Sequence, residues 1–176
     1  MLFCEITFWV TLNFLATNTG YNSLDTAILA KTDKRFVINS RQHNKTISFK
    51  SLKENTKKGS KIYLLFDSVK ITESPEGVYE VYLTPRPVLE NFLTDKSPYF
   101  AGVIDFYSLQ NNDPTNTLVP GLNITGNWRY LTRNKSSLNA HYYVTIIFRG
   151  NISPGKKVTP KAGNIYFQKI WIAQVS

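Results

Sequence analysis

His43 and His141 are the only two imidazoles in the chain, and nearly a hundred residues separate them. With a single cysteine, Cys4, they form no spacing typical of a metal site, where ligands usually recur a few residues apart. His43 sits in a basic, polar stretch and reads as a solvated side chain. His141 precedes a strand-like run and reads as a hydrogen-bonding cap. The carboxylates offer little more. Glu73, Glu76 and Glu80 fall in or beside one turn, where like charges face water rather than share a proton. Asp105 lies in an aromatic strand and reads as an outward residue. No GxSxG, phosphate-binding GxxxxGK[ST] or GxGxxG segment occurs. An autonomous enzyme has no constellation here that brings nucleophile, base and charge stabiliser together.

The elements around these residues are strands. The chain has 176 residues, 42% of them hydrophobic and 14% aromatic, a globular composition in which aromatics abound and alanine is scarce. "KIYLLFDSVKI" (61–71) reads as one long strand with both faces buried over Ile62 to Phe66. "VYEVYL" (78–83) alternates, with Tyr79, Val81 and Leu83 on one face and Val78, Glu80 and Tyr82 on the other. The six-residue turn 72–77 between these two strands predicts a hairpin. "TPRPVLENFLTDKSP" (84–98) is a long surface connection with three prolines. In "SPYFAGVIDFYS" (97–108), Phe100, Ile104 and Phe106 are expected on one face, with Gly102 marking a bulge. A short helix fits within "GNWRYLTRNKSSL", and "HYYVTIIFRG" and "NIYFQKIWIAQV" are closing strands. Seven to nine strands with turns at this spacing predict an all-β, antiparallel sandwich of jelly-roll type over residues 31–176.

The net charge is +9, but it is concentrated. Residues 31–61 hold ten of the 21 basic side chains and only Asp33 and Glu54 as acids, which leaves the rest nearly balanced. Lysine outnumbers arginine there, whereas base-edge readout favours the forked guanidinium. The reading is therefore a solvated loop with a protected edge strand, and no specific nucleic-acid partner. Residues 1–16, "MLFCEITFWVTLNFLA", are apolar but carry Glu5, lack a basic start and a small-x-small cleavage site, and are too short to span a membrane. Residues 1–30 are taken as an extension or the remnant of a linker or preceding domain. Secretion or export to a periplasm stays open, because one cysteine excludes an internal disulfide and marks no compartment.

The order of segments resembles the C-terminal domain of polyphenol oxidases and bacterial tyrosinases. Tyr79-Glu80-Val81-Tyr82 is similar to that family's K-F-D-V-type strand, and Ser97-Pro98-Tyr99-Phe100-Ala101-Gly102 to its S-x-(Y/F)-x-G segment. Val144-Thr145-Ile146-Ile147-Phe148-Arg149-Gly150 resembles its V-T-(I/L)-x-x-R-G strand. "LNITGNWRYL" is similar to the strand and short helix before that, and "GNIYFQKIWI" to the closing strand. "TGYNSLD" (19–25) resembles the segment that links the family's two domains, except that Ser23 stands where a second tyrosine is usual. The resemblance implies a non-catalytic lid that shields and stabilises a type-3 copper catalytic domain, present in cis or in trans. The copper pair belongs to that domain, which holds it with histidines on a helical bundle, and no cofactor is expected in this chain. Tyr99, Phe100 and Tyr107 are the candidate inter-domain contacts. A competing expectation is a carbohydrate- or surface-binding sandwich in which Trp128, Tyr130, Tyr142 and Tyr143 form a stacking platform.

Overall fold

A computed structural model describes residues 26–32, 34–51, 56–67, 69–105, 121–133, 141–150 and 160–176. Among them are eleven strands: β1 (Thr26–Thr32), β2 (Phe36–Ile38), β3 (Asn44–Ser51), β4 (Lys61–Asp67), β5 (Lys70–Glu73), β6 (Gly77–Thr84), β7 (Phe100–Ile104), β8 (Gly121–Asn123), β9 (His141–Gly150), β10 (Asn164–Phe167) and β11 (Lys169–Val175). One helix, α1 (Thr125–Arg133), and a 3₁₀ turn, Glu90–Phe92, complete the described elements. The fold is all-β and antiparallel, as the strand pattern predicts. The first strand opens at Thr26, inside the stretch read as an extension.

Eight strands form one sheet in the order β7-β6-β9-β3-β1-β11-β4-β8, and three form a second in the order β2-β10-β5. The second sheet continues the first around a corner. Pairing of β1 with β11 ends at Thr32 opposite Ile170, and pairing of β2 with β10 resumes at Phe36 opposite Phe167. On the other side, β4 meets β11 up to Asp67 opposite Lys169, and β5 meets β10 from Lys70 opposite Tyr166. Three neighbouring strands thus bend together, which lets one layer turn over the core and become the other. The expected single strand 61–71 is therefore two. The expected hairpin across residues 72–77 does not form, because β6 pairs with β7 and β9 while β4 pairs with β11 and β8. The lysine-bearing β3 is not an edge strand: it lies between β9 and β1.

Alternation fills the inside. Tyr79, Val81 and Leu83 from β6, Val144, Ile146 and Phe148 from β9, and Ile62, Leu64 and Phe66 from β4 all belong to one buried cluster. The small sheet adds Phe36, stacked on Phe167 with ring centroids 4.5 Å apart. The phenol of Tyr79 finds a buried acceptor in the Ala162 carbonyl, as a polar atom in such a place must. At the open end of the sheet α1 lays Trp128 and Leu131 onto the same cluster. The Asn127 amide on α1 donates to the carbonyls of Pro98 and Phe100, 3.1 and 2.9 Å away, tying the helix to the start of β7. The two edge strands of the large sheet come together there. A Cβ on Gly102 of β7 would lie 3.3 Å from the Leu122 side chain of β8.

Candidate functional site

The connection 84–98 does not hang in solvent. It crosses the outer face of β7, β6 and β9 as a strap and closes a second, small cluster there: Tyr82, Leu93 and Ile147, with Val88 and Phe100 packed against it. The bulge in β7 makes this possible. Val81 pairs with Gly102 but Tyr82 pairs with Phe100, so one residue of β7 is extra. Gly102 has φ +138°, a conformation that side chains rarely adopt. After the bulge Ile104 faces the main core, while before it Phe100 turns to the outer cluster and meets the Tyr82 ring edge-on at 5.5 Å. The bulge expected at Gly102 is present. The expectation that Phe100 and Ile104 share a face fails, because the extra residue reverses the alternation.

Polar groups fasten the strap. On the outer face of β6 and β9, Arg149 Nε donates to Glu80 Oε2 at 2.7 Å, and the Tyr82 hydroxyl donates to the same oxygen at 2.7 Å. The rest of the guanidinium reaches the strap, with one terminal nitrogen 3.5 Å from Glu90 Oε1 and the other 3.4 Å from the Leu93 carbonyl. The Asn44 amide on β3 donates to the other Glu90 oxygen. Burial pushes the Tyr82 phenol up to about 12, and the hydrogen bond to Glu80 adds to it. Burial works against the Arg149 charge, but the hydrogen bonds to Glu80 and Tyr82 outweigh it and hold its proton more tightly than usual. A carboxylate already accepting two donors, beside a phenol held protonated, makes a fastening rather than an acid–base pair.

The strap also carries apolar side chains that face outward. Leu89 and Phe92, just before the buried Leu93, are 70% and 69% exposed. Val103, opposite Glu80 on β7, is exposed as well.

The sequence-predicted residues fall differently. Tyr99 is half-buried against the main core and meets the Tyr130 ring edge-on at 6.0 Å. Phe100 is half-buried over Tyr82, and Tyr107 and Phe106 lie outside the described residues. The four rings expected as a platform do not form one. Trp128 is 1% exposed and packs against Tyr142 at 4.9 Å, also buried, while Tyr130 is exposed on α1 and Tyr143 half-buried on β9. The pattern misled because "WRYL" on a helix and "HYYV" on a strand each send one ring inward. Of the three acids near that turn, Glu73 and Glu76 both meet Lys161, and Glu80 faces elsewhere. Glu73 lies 4.0 Å from Lys161, Glu76 accepts from the Lys161 backbone at 3.1 Å, and Glu80 belongs to Arg149.

The histidines do not fit a copper pair. His43 accompanies Phe148, whose backbone amide donates to the His43 carbonyl, whereas His141 begins the same strand opposite Lys50. Phe148 stands seven residue steps along β9 from His141, a span of about 23 Å at ~3.3 Å per residue, so the two rings cannot share an ion. Among the described residues no group of three histidine, cysteine or acidic side chains is placed to hold a metal, and no helix is long and apolar enough to cross a membrane.

No protein-family model matches the chain, and no curated protein matches it. Solved structures are similar to it. Latent aurone synthase (polyphenol oxidase) from natural source aligns with 80% of this chain at 15% identity and a TM-score of 0.49, over 25% of its own length. The recombinantly expressed latent enzyme aligns with 76% of this chain at 15% identity and a TM-score of 0.46, over 24% of its length. The same enzyme co-crystallised with hexatungstotellurate(VI) gives 81%, 14% and 0.45, again over 24%. The likeness is one of fold, and this chain spans about a quarter of those proteins.

Proposed function

We propose that this chain is a non-catalytic shielding domain of a polyphenol oxidase- or tyrosinase-like protein, inert toward diphenols alone and docking on a copper-holding catalytic domain in cis or in trans. One observation supports this most. The stretches that resemble family motifs, 79–82, 97–102 and 144–150, adjoin in space on β6, at the start of β7 and on β9, although the third lies far from the other two in sequence. The Glu80–Arg149 ion pair joins the first to the third, and the Tyr82–Phe100 ring contact joins the first to the second. Their side chains serve to seat the strap, and the strap presents Leu89 and Phe92. We assign the docking contact to those two rather than to Tyr99 and Phe100, which are committed to packing within the domain. An inter-domain contact of on the order of 600–1,500 Å², anchored by one or two such side chains, is of ordinary size.

The test supplies the purified chain in trans to a copper-loaded catalytic domain of this kind and follows diphenol turnover. Turnover is expected to fall with added chain, and the double variant Leu89→Ser/Phe92→Ser to relieve the inhibition with an unchanged circular dichroism spectrum. Full turnover at saturating concentrations of folded chain would refute the proposal.

A further inference from the structure

Four Asn-X-Ser/Thr triplets occur in the sequence, beginning at Asn44, Asn123, Asn134 and Asn151. Such triplets are acceptors for N-linked sugars where the asparagine is accessible. Asn44 and Asn123 lie among the described residues and sit in opposite circumstances. The Asn44 amide is donated to Glu90, the strap residue that Arg149 also holds. A sugar there would displace the strap. Asn123 ends β8, one of the two edge strands of the large sheet, and is exposed. Ile124 beside it is fully buried, which turns Asn123 outward by the strand's alternation. Its carboxamide oxygen accepts from the Thr125 amide at 3.1 Å and from the Thr125 hydroxyl at 2.7 Å. Its nitrogen, the atom that would react, makes no hydrogen bond among the described residues. Beyond Thr125, a Cβ on Gly126 would meet nothing within 4 Å, so the surroundings are open.

We infer that Asn123 is an N-glycan acceptor. In the transfer, Asn123 Nδ2 attacks the anomeric carbon of an oligosaccharide carried on a lipid diphosphate, with a membrane oligosaccharyltransferase as catalyst. An N–C bond forms, the C–O bond to the diphosphate breaks, the lipid diphosphate leaves, and Nδ2 gives up one proton. The product sets a bulky, hydrated group beside the backbone of an edge strand, where it guards against pairing with another chain. The inference is independent of any copper partner.

The full chain, placed behind a cleavable secretion leader in a eukaryotic host, tests it by intact mass and peptide mapping before and after peptide N-glycosidase. The folded, secreted chain is expected to carry sugar at Asn123 and not at Asn44, and the enzyme to remove it with conversion of residue 123 to the acid. Asn123→Asp keeps an oxygen for Thr125 but lacks the reacting nitrogen. It should lose that sugar mass, with an unchanged thermal midpoint in the deglycosylated comparison. A folded, secreted wild-type chain that is bare at Asn123 would overturn the inference, as would a sugar mass undiminished in Asn123→Asp.

Discussion

Beneath the large sheet, stability is a matter of area. Phe36, Phe66 and Phe167 lie ring against ring, and the strands around them contribute one buried apolar side chain at every second position. Above β6 and β9, the buried hydrophobic cluster among the described residues is just Tyr82, Leu93 and Ile147, and the strap is held as much by Glu80, Arg149, Glu90 and Asn44 as by contact. Hydrophobic burial is insensitive to direction, whereas an ion pair whose members are 40% and 18% exposed is directional and screened by salt. The inner region therefore decides whether the domain folds. The outer region decides where fifteen residues of connection lie.

That contrast is open to measurement. Phe167→Ala should cost about 3–5 kcal/mol and unfold both sheets together, whereas Leu93→Ala should cost about 2 kcal/mol and open the strap to protease while the sheets persist. Equal, global effects in chemical denaturation and limited proteolysis would erase the distinction. Gly102→Val strikes the point where β7 passes from one region to the other. Positive φ and the nearby Leu122 side chain both oppose a branched residue, and a loss of about 1–3 kcal/mol is expected in the urea midpoint. An unaltered midpoint would mean that β7 does not need its bulge.

The smallest effect belongs to the outer cluster alone. Tyr82→Phe removes one hydrogen bond to Glu80 and should cost about 1 kcal/mol at neutral pH. It should also change the alkaline limb. An unfolded tyrosine ionises near 10, while Tyr82 in the fold holds its proton to about 12. Below pH 10 both states keep the proton and this contribution is intact. Between about 10 and 12 the unfolded chain alone releases it, so stability falls as pH rises. A denaturation series from pH 7 to 11 should show a shallower decline for Tyr82→Phe, and parallel curves would show that Tyr82 is not the group being read.

The inner region was legible because period-two patterning needs no knowledge of partners: Tyr79, Val81 and Leu83 are inward as their alternation predicts. The same alternation puts Glu80 and Tyr82 side by side on the outer face, yet the nearby turn makes Glu80 look like one of that turn's solvated acids. Its partner, Arg149, lies 69 residues on, and nothing local in the sequence reports that Val78 stands opposite Arg149 in the pairing of β6 with β9. The three prolines of 84–98 mark an irregular connection but not the face it crosses. The burial of Trp128 and Tyr142 is hidden from sequence for a related reason. An aromatic pair in sequence shows that one ring is buried, and only the neighbours decide which. Gly102 was the most informative single residue, since a glycine in an aromatic strand announces a bulge before any partner is known.

The corner at which β1, β11 and β4 bend into β2, β10 and β5 bears on how the chain reaches its fold. The central strand of that bend is Asn164–Val175, interrupted at Gln168, and the strands it separates begin at Thr26 and Lys61. Each contact it makes therefore closes a loop of roughly a hundred residues or more, and loop closure of that kind places folding among slow β topologies, in the range of milliseconds to seconds. Until that strand arrives, β1 and β4 have one edge each without a neighbour, at the very place where Phe66 is waiting for Phe167. The order of assembly is thus set by distance along the chain: the β6–β9 side, with β3, has no need of the late strand, and the corner is the last part of the sheet to zip.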